Sequence, residues 1–298
     1  MTQNIIIIGS SSMDLTVQTD VIPEQGETVL GETLLMAPGG KGANQAVAAA
    51  RLKRDGDVYM IGAVGDDAFG NKIINNLRQF GVNTTYMQKI EGEHSGTAHI
   101  TLYEQDNRII FVPAANNHIL PEVVLPILER FERGDIIVMQ QEIPAETVAV
   151  VIEKAADLGM QVILNPAPYR PLEQKLIEQV AYLTPNESEC RQLFDVGMDE
   201  ALAQYPQKLI VTLGAEGATY YDDDARHMVP SYPCEVVDTT GAGDTFNGAL
   251  AVALSEGQSL ASALQFANMA SSFAVRALGA QGGIPARETV DAALEKKA

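Results

Sequence analysis

Short apolar runs alternate along the chain with longer stretches in which apolar residues recur every three or four positions. Runs at 4–9, 57–62, 135–140, 161–165, 181–184 and 209–213 are short and mostly apolar, the pattern of strands buried on both faces. The spacing predicts helices over 43–53, 68–79, 121–132, 145–158, 171–179 and 199–205. The C-terminal part is helix-rich, with helices expected at 243–255, 260–275 and 286–295. This alternation predicts an α/β protein with a largely parallel sheet covered on both sides. A closed eight-stranded barrel is the rival. The early extended segments and the helical C-terminal end argue against it.

Two regions break the rhythm. Residues 15–37 hold extended pieces interrupted by Pro23 and Gly26. In 95–114, Thr97, His99, Thr101 and Tyr103 alternate with Ala98, Ile100 and Leu102, and EQDNR at 104–108 reads as a hairpin connection. A small second sheet, assembled from distant pieces, is therefore expected. It could serve as a lid over the strand ends, a structural edge or a dimer contact.

Charge and composition remove several classes of function. A formal net charge of −19 over 298 residues leaves no general nucleic-acid surface. An anionic small ligand is still possible, because backbone N–H groups and one or two basic side chains suffice for a local site. No basic segment leading into an apolar run and cleavage site begins the sequence, and no apolar run is long enough for a membrane span. A cytoplasmic protein without membrane contact is expected. Cys190 and Cys234 form no metal motif and read as free thiols. His94, His99, His118 and His227 form no HExxH pattern. Ser10–Ser12 is no nucleophile elbow, and Asp222–Asp224 reads as a solvated turn.

Two glycine-rich segments carry the chemistry. APGGKGANQAVAAAR at 37–51 offers Gly39, Gly40 and Gly42 for close backbone approach, Lys41 as a point charge and Asn44 as an amide. It is no Walker A loop, because Gly42 stands where Ser or Thr would follow the lysine, and its spacing is not that of a dinucleotide fingerprint. VVDTTGAGDTFNGAL at 236–250 places Gly241 and Gly243 before a helix with Phe246, Leu250 and Leu254 on one face. Asp244 lies in its first turn, where a helix-capping carboxylate is the plain alternative to a catalytic one.

Together the segments resemble the two signatures of the ribokinase-like, or PfkB, carbohydrate kinases: GGKGANQ at 39–45 and DTTGAGDTFNGAL at 238–250. GSSSMDL at 9–15, GDDAFG at 65–70, NPAP at 165–168, TPNESE at 184–189 and TLGAEG at 212–217 follow in the family's order. The resemblance implies a single domain over 1–298 with a three-layer α/β/α fold. Its central sheet would be mainly parallel, with a small β-sheet lid from about 15–37 and 95–114. It also implies ATP-dependent phosphorylation of D-ribose at O5, giving D-ribose 5-phosphate and ADP. Kinases of 2-deoxyribose, fructose or adenosine-like nucleosides are the nearest alternatives, and a non-catalytic sugar-binding sensor is a more distant one.

Site roles follow from the same resemblance. Asp244 would be the general base, with the N–H groups of Gly241, Ala242 and Gly243 as an anion hole. Asp14, Gly40, Lys41, Asn44 and Glu142 would hold the sugar; an acceptor-only carboxylate such as Asp14 suits a vicinal diol. Ser12 stands where the family often has asparagine. Asn186 and Glu189 would lie near Mg²⁺ and its water shell, reaching the ion directly or through water. Thr212, Gly214 and Gly243 would contact ATP. Asn268 would lie near adenine, with a buried structural network as the alternative. Asp238 and Thr240, with backbone oxygens near Val275, Ala277, Gly279 and Gly283, would bind K⁺; Gly283 replaces a family serine. Ala114-Ala115-Asn116 replaces a family Gly-Ala-Asn after the second lid strand, and Asp106-Asn107 replaces Glu-Asn in the hairpin. The resemblance also implies a homodimer through paired lid sheets.

Overall fold

A computed structural model describes residues 3–104 and 106–297. The first strand, β1 (Ile5–Ile8), is four isoleucines, each fully buried. It is apolar throughout because both its faces are covered: Ile5 and Ile7 enter one core, Ile6 and Ile8 the other. Parallel partners β4 (Val58–Gly65) and β8 (Ile136–Met139) flank it. With β5 (Asn83–Ile90), β9 (Gln161–Leu164) and β10 (Tyr182–Leu183) they form an open sheet of order β10-β9-β8-β1-β4-β5. Parallel bridges Leu183–Leu209 and Asn186–Thr212 lead to an antiparallel sheet of β11 (Val211–Thr212), β12 (Gly217–Asp222) and β13 (Ala225–Pro230). The open strand order excludes the barrel.

One helical layer comprises α1 (Lys41–Leu52), α2 (Ala68–Gln79), α8 (Ala242–Ser255), α9 (Leu260–Ala274) and α10 (Arg287–Glu295). The other comprises α3 (Pro121–Leu128), α4 (Ala145–Leu158), α5 (Gln174–Gln179), α6 (Glu187–Leu193) and α7 (Met198–Gln204). Helices α2 and α4 have the expected bounds. Helix α3 ends at Leu128 instead of 132, because the chain there tightens into turns from Arg130 N–H to Ile127 and from Phe131 N–H to Leu128. Helix α5 begins at Gln174, three residues later than expected. Strands β5, β12 and β13 and helix α6 were not expected. Strand β5 is an edge, β13 is mostly exposed, β12 is buried but its GATYYD carries no apolar run, and α6 is short. Asp222–Asp224 does make a turn, with Asp223 and Asp224 left-handed at φ 46° and 59°.

The second sheet contains β2 (Ser12–Gln18), β3 (Thr33–Gly39), β6 (Gly96–Tyr103) and β7 (Asp106–Val112), in the order β3-β2-β6-β7. It is built from two distant regions, as expected. A hairpin forms there as expected, but it is tighter than 104–108: Asp106, Asn107 and Arg108 belong to β7 and pair antiparallel with β6, and Gln105 lies outside the described residues. Register puts Asp14, Ala98, Ile100 and Phe111 on one face. On the opposite face Val17, Leu34, Met36, Ile110 and Val112 are exposed. Asn116 ties the base of this sheet together. Its amide donates to the carbonyls of Ser11 (2.9 Å) and Pro113 (2.8 Å), and its oxygen accepts Ser11 N–H at 2.9 Å. Ala114 is left-handed at φ 46°, which explains why glycine suits that position in the family motif. Among the described residues, no helix is long and apolar enough to cross a membrane.

Candidate active site

The strand order reverses around β1, so a crevice opens at the carboxyl ends of β1 and β8, where open α/β sheets bind ligands. Ser10–Ser12 leave β1 there, and Gln140–Glu142 leave β8. The first turns of α1 and α8 meet them. Gly241 caps α8 at φ 78°, and a Cβ on it would lie 2.4 Å from the Ala280 carbonyl oxygen, so the backbone itself makes this contact.

Asp244 is 8 % exposed, in the first turn of α8. Its Oδ2 accepts from Asn44 Nδ2 at 2.9 Å and its Oδ1 from Gln45 Nε2 at 3.0 Å. Two amides from the first turn of α1 therefore orient the carboxylate. Gln45 also accepts from Gln140 Nε2 (2.7 Å) and donates to Asn165 Oδ1 (3.3 Å). Sequence reasoning missed Gln45 and Gln140. The one signal was that Gln45 directly follows Asn44 at the glycine-rich helix start.

Glu142 accepts the Ser10 hydroxyl and the Lys41 backbone N–H (3.2 Å). Asp14 accepts the Ser12 hydroxyl at 2.9 Å. Ser12, which replaces the family asparagine, thus bonds to the carboxylate of Asp14, the candidate sugar-binding residue. Asp14, Glu142 and Asp244 crowd one ammonium group. Burial pushes the Asp14 carboxyl up to about 6; the hydrogen bond from Ser12 opposes this, and the charges of Glu142 and Asp244 add to it. Burial also raises Glu142, against the pull of Lys41 and Ser10. Burial disfavours the Lys41 ammonium, but Asp244, Glu142, Glu189 and Asp14 together hold it above its ordinary value.

Across the crevice, Asn186 and Glu189 form the capping box of α6. Asn186 Oδ1 accepts Glu189 N–H at 2.8 Å, and Glu189 Oε2 accepts Asn186 N–H at 2.9 Å. Thr212 is bridged to Asn186, and Gly214 (φ 54°) opens the turn that follows β11. Asn268 donates to the carbonyls of Val229 (2.9 Å) and Pro230 (3.2 Å), fastening α9 to the end of β13. That is a buried structural network, and it uses the amide hydrogens of Asn268.

Next to α8, Asp238 Oδ1 accepts from Thr240 N–H (2.9 Å) and hydroxyl (2.7 Å), and Oδ2 accepts Gly279 N–H at 2.8 Å. Burial raises the Asp238 carboxyl, but these bonds outweigh it and lower it on balance. The Val275 carbonyl accepts the N–H groups of Val237 and Asp238. Two loops thus bring a carboxylate and the Val275 carbonyl together, oxygen donors of the kind a monovalent cation takes. At Gly283 an added Cβ would lie 2.0 Å from the Ala274 carbonyl oxygen, which explains the absence of the family serine. Among the described residues, no group of three or more His, Cys, Asp or Glu side chains is arranged to hold a metal. Asn186 and Glu189 fit contact with Mg²⁺ through water, since both already cap α6.

An open parallel sheet, with a buried carboxylate at the head of a glycine-capped helix and a polar crevice beneath a second sheet, is the architecture of a small-molecule kinase. The chain belongs to the pfkB family of carbohydrate kinases, whose model matches residues 2–287. It is 52% identical over 290 residues to a ribokinase of Bacillus subtilis (strain 168), covering 97% of this chain and 98% of that protein. It is 34% identical over 297 residues to a deoxyribokinase of Salmonella typhi, covering 96% of each. A solved Arabidopsis thaliana ribokinase complexed with ribose and ATP matches with a TM-score of 0.89 at 32% identity, covering 99% of both chains.

Proposed function

We propose that the chain transfers the γ-phosphoryl group of ATP to O5 of D-ribose, giving D-ribose 5-phosphate and ADP. The observation that carries this is Asp244, buried at the start of α8 and held by Asn44 and Gln45. The 52% identity to a ribokinase over nearly the full length supports the choice of sugar.

The sugar lies between the first turn of α1 and the Asp14 face of the second sheet, which acts as a lid. Asp14 accepts hydrogen bonds from two hydroxyls of the diol, Lys41, Asn44 and Glu142 supply further polar contacts, and the backbone at Gly40 allows close approach. Ala98 and Ile100, 8 % exposed each, cover the apolar side of the ring. Asp244 accepts the O5 proton while that oxygen attacks the γ-phosphorus and the bond to ADP breaks. The N–H groups of Gly241 and Gly243 face the phosphoryl oxygens at the helix start. Ala242 N–H already donates to the Thr239 carbonyl at 3.2 Å, so it is the weakest member of the expected anion hole. Thr212 and Gly214 line the nucleotide side, and Asn268 keeps its amide oxygen for adenine. Mg²⁺, reached by Asn186 and Glu189 through water, would neutralise phosphate charge. K⁺, held by Asp238 and carbonyls of 275–283, would add positive charge behind the α8 N-terminus.

The exposed apolar lid face fits a homodimer with lid sheets paired. Cytoplasmic location belongs to the same proposal, since Cys190 and Cys234 are unpaired and ATP is the donor. The test is ADP formation from Mg-ATP with D-ribose, 2-deoxyribose, fructose and nucleosides, each with and without K⁺. D-ribose should be the preferred acceptor, with turnover raised by K⁺. Preference for another acceptor would overturn the sugar assignment; binding without ADP formation would favour a sensor.

A further inference from the structure

The amide of Asn44 that orients Asp244 is itself oriented, and by a residue outside the family motifs. Asn44 is 4 % exposed, and its Oδ1 accepts from Gln281 Nε2 at 2.9 Å. Gln281 Oε1 in turn accepts from Asn76 Nδ2 at 2.7 Å. All three amides are aligned in one direction: Asn76 donates to Gln281, Gln281 to Asn44, and Asn44 to the Asp244 carboxylate. An asparagine amide is nearly symmetric in shape, so packing alone does not decide which end faces a carboxylate. A donor aimed at its oxygen does decide it.

We infer that Gln281 is a positioning residue for the sugar and the base: it locks Asn44 with its NH₂ toward Asp244. Its backbone belongs to the 275–283 loop between α9 and α10, whose Gly279 N–H is held by Asp238. Any group that orders this loop also orders the Asn44 amide on the sugar side of the crevice. Helix α2 contributes through Asn76, far from the reacting atoms in sequence. Without Gln281 the Asn44 amide is fixed from one end alone, by its bond to Asp244, and its side chain is freer to swing off the carboxylate.

The inference rests on the kinase reading of the site, and the test separates the two. Gln281→Ala, Gln281→Glu and Asn76→Ala are compared with the unaltered protein in steady-state turnover, varying D-ribose and ATP in turn. D-ribose binding without nucleotide is measured by calorimetry with and without K⁺. Gln281→Ala should lower kcat/KM for D-ribose about tenfold, the scale of one lost hydrogen bond to a charged network, and leave KM for ATP unchanged. Gln281→Glu, nearly the same shape, should be worse than Gln281→Ala, because an introduced carboxylate attracts the Asn44 NH₂ away from Asp244. Asn76→Ala should give a smaller loss of the same kind. A merely structural role would instead move both KM values in every variant. That pattern, or unchanged D-ribose binding and turnover in both Gln281 variants, overturns the inference while leaving the kinase intact. Absence of D-ribose binding and ADP formation in the unaltered protein overturns both.

Discussion

Asp14 shows how a proposed sugar-binding residue can work against the fold that carries it. Its carboxyl is pushed from 3.8 to about 6 in the free protein, mainly by burial. A raised folded value means that its contribution to stability is fully present below pH 3.8 and is lost as pH rises through about 6. At neutral pH the ionised group therefore destabilises the free protein by about 2–3 kcal/mol. Asp14→Asn should unfold at higher urea than the unaltered protein at pH 7.5, with the difference closing toward pH 4, while D-ribose affinity falls at least tenfold. Equal unfolding midpoints at pH 7.5 would contradict the burial of this charge. In the unaltered protein, D-ribose affinity should fall as pH drops below about 6, because the protonated carboxyl loses an acceptor. Ser12 belongs to the same account: its hydroxyl occupies one lone pair of Asp14, a role its sequence position suggested only as a missing asparagine.

At the scale of elements, the site depends on how closely α8 lies against α1. Gly248 is the contact point: a Cβ there would meet the Gln45 carbonyl oxygen at 2.7 Å and the Ala48 Cβ at 2.8 Å. Gly248→Ala must push the helices apart, at a cost of about 1–3 kcal/mol. It should also lower kcat, because Asn44 and Gln45 on α1 hold Asp244 on α8. Urea unfolding and turnover of the one variant check both effects; a stable variant with normal turnover would contradict them. The same packing explains what the sequence made legible. Buried central elements such as β1 and α4 announce themselves through continuous or periodic apolar residues. Strands β5 and β13 are half exposed or polar and hide among loops, and the buried β12 begins Gly-Ala-Thr, without an apolar run. Asp14, Lys41, Glu142 and Asp244, which the structure brings together, were legible through their motifs. Gln45, Gln140, Gln281 and Asn76 were not, since neutral amides acquire meaning only when folding aims each at a partner.

For the whole molecule, charge and exposed apolar surface lead to different expectations. The net charge of −19 disfavours close approach of identical chains in general, so association needs a local apolar surface. The outer lid face supplies one, with Ile110 71 % and Leu34 61 % exposed. In the proposed dimer paired through these faces, Ile110→Glu should shift the sedimentation coefficient from dimer to monomer. A single species unchanged by the substitution would place any dimer contact elsewhere.

The most direct test of the central claim is single-turnover and steady-state ADP formation by Asp244→Asn with Mg-ATP and D-ribose, beside calorimetric D-ribose binding. Loss of the base should lower kcat by about 10²–10⁴-fold while D-ribose still binds. Turnover within a few-fold of the unaltered protein would show that Asp244 does not take the proton.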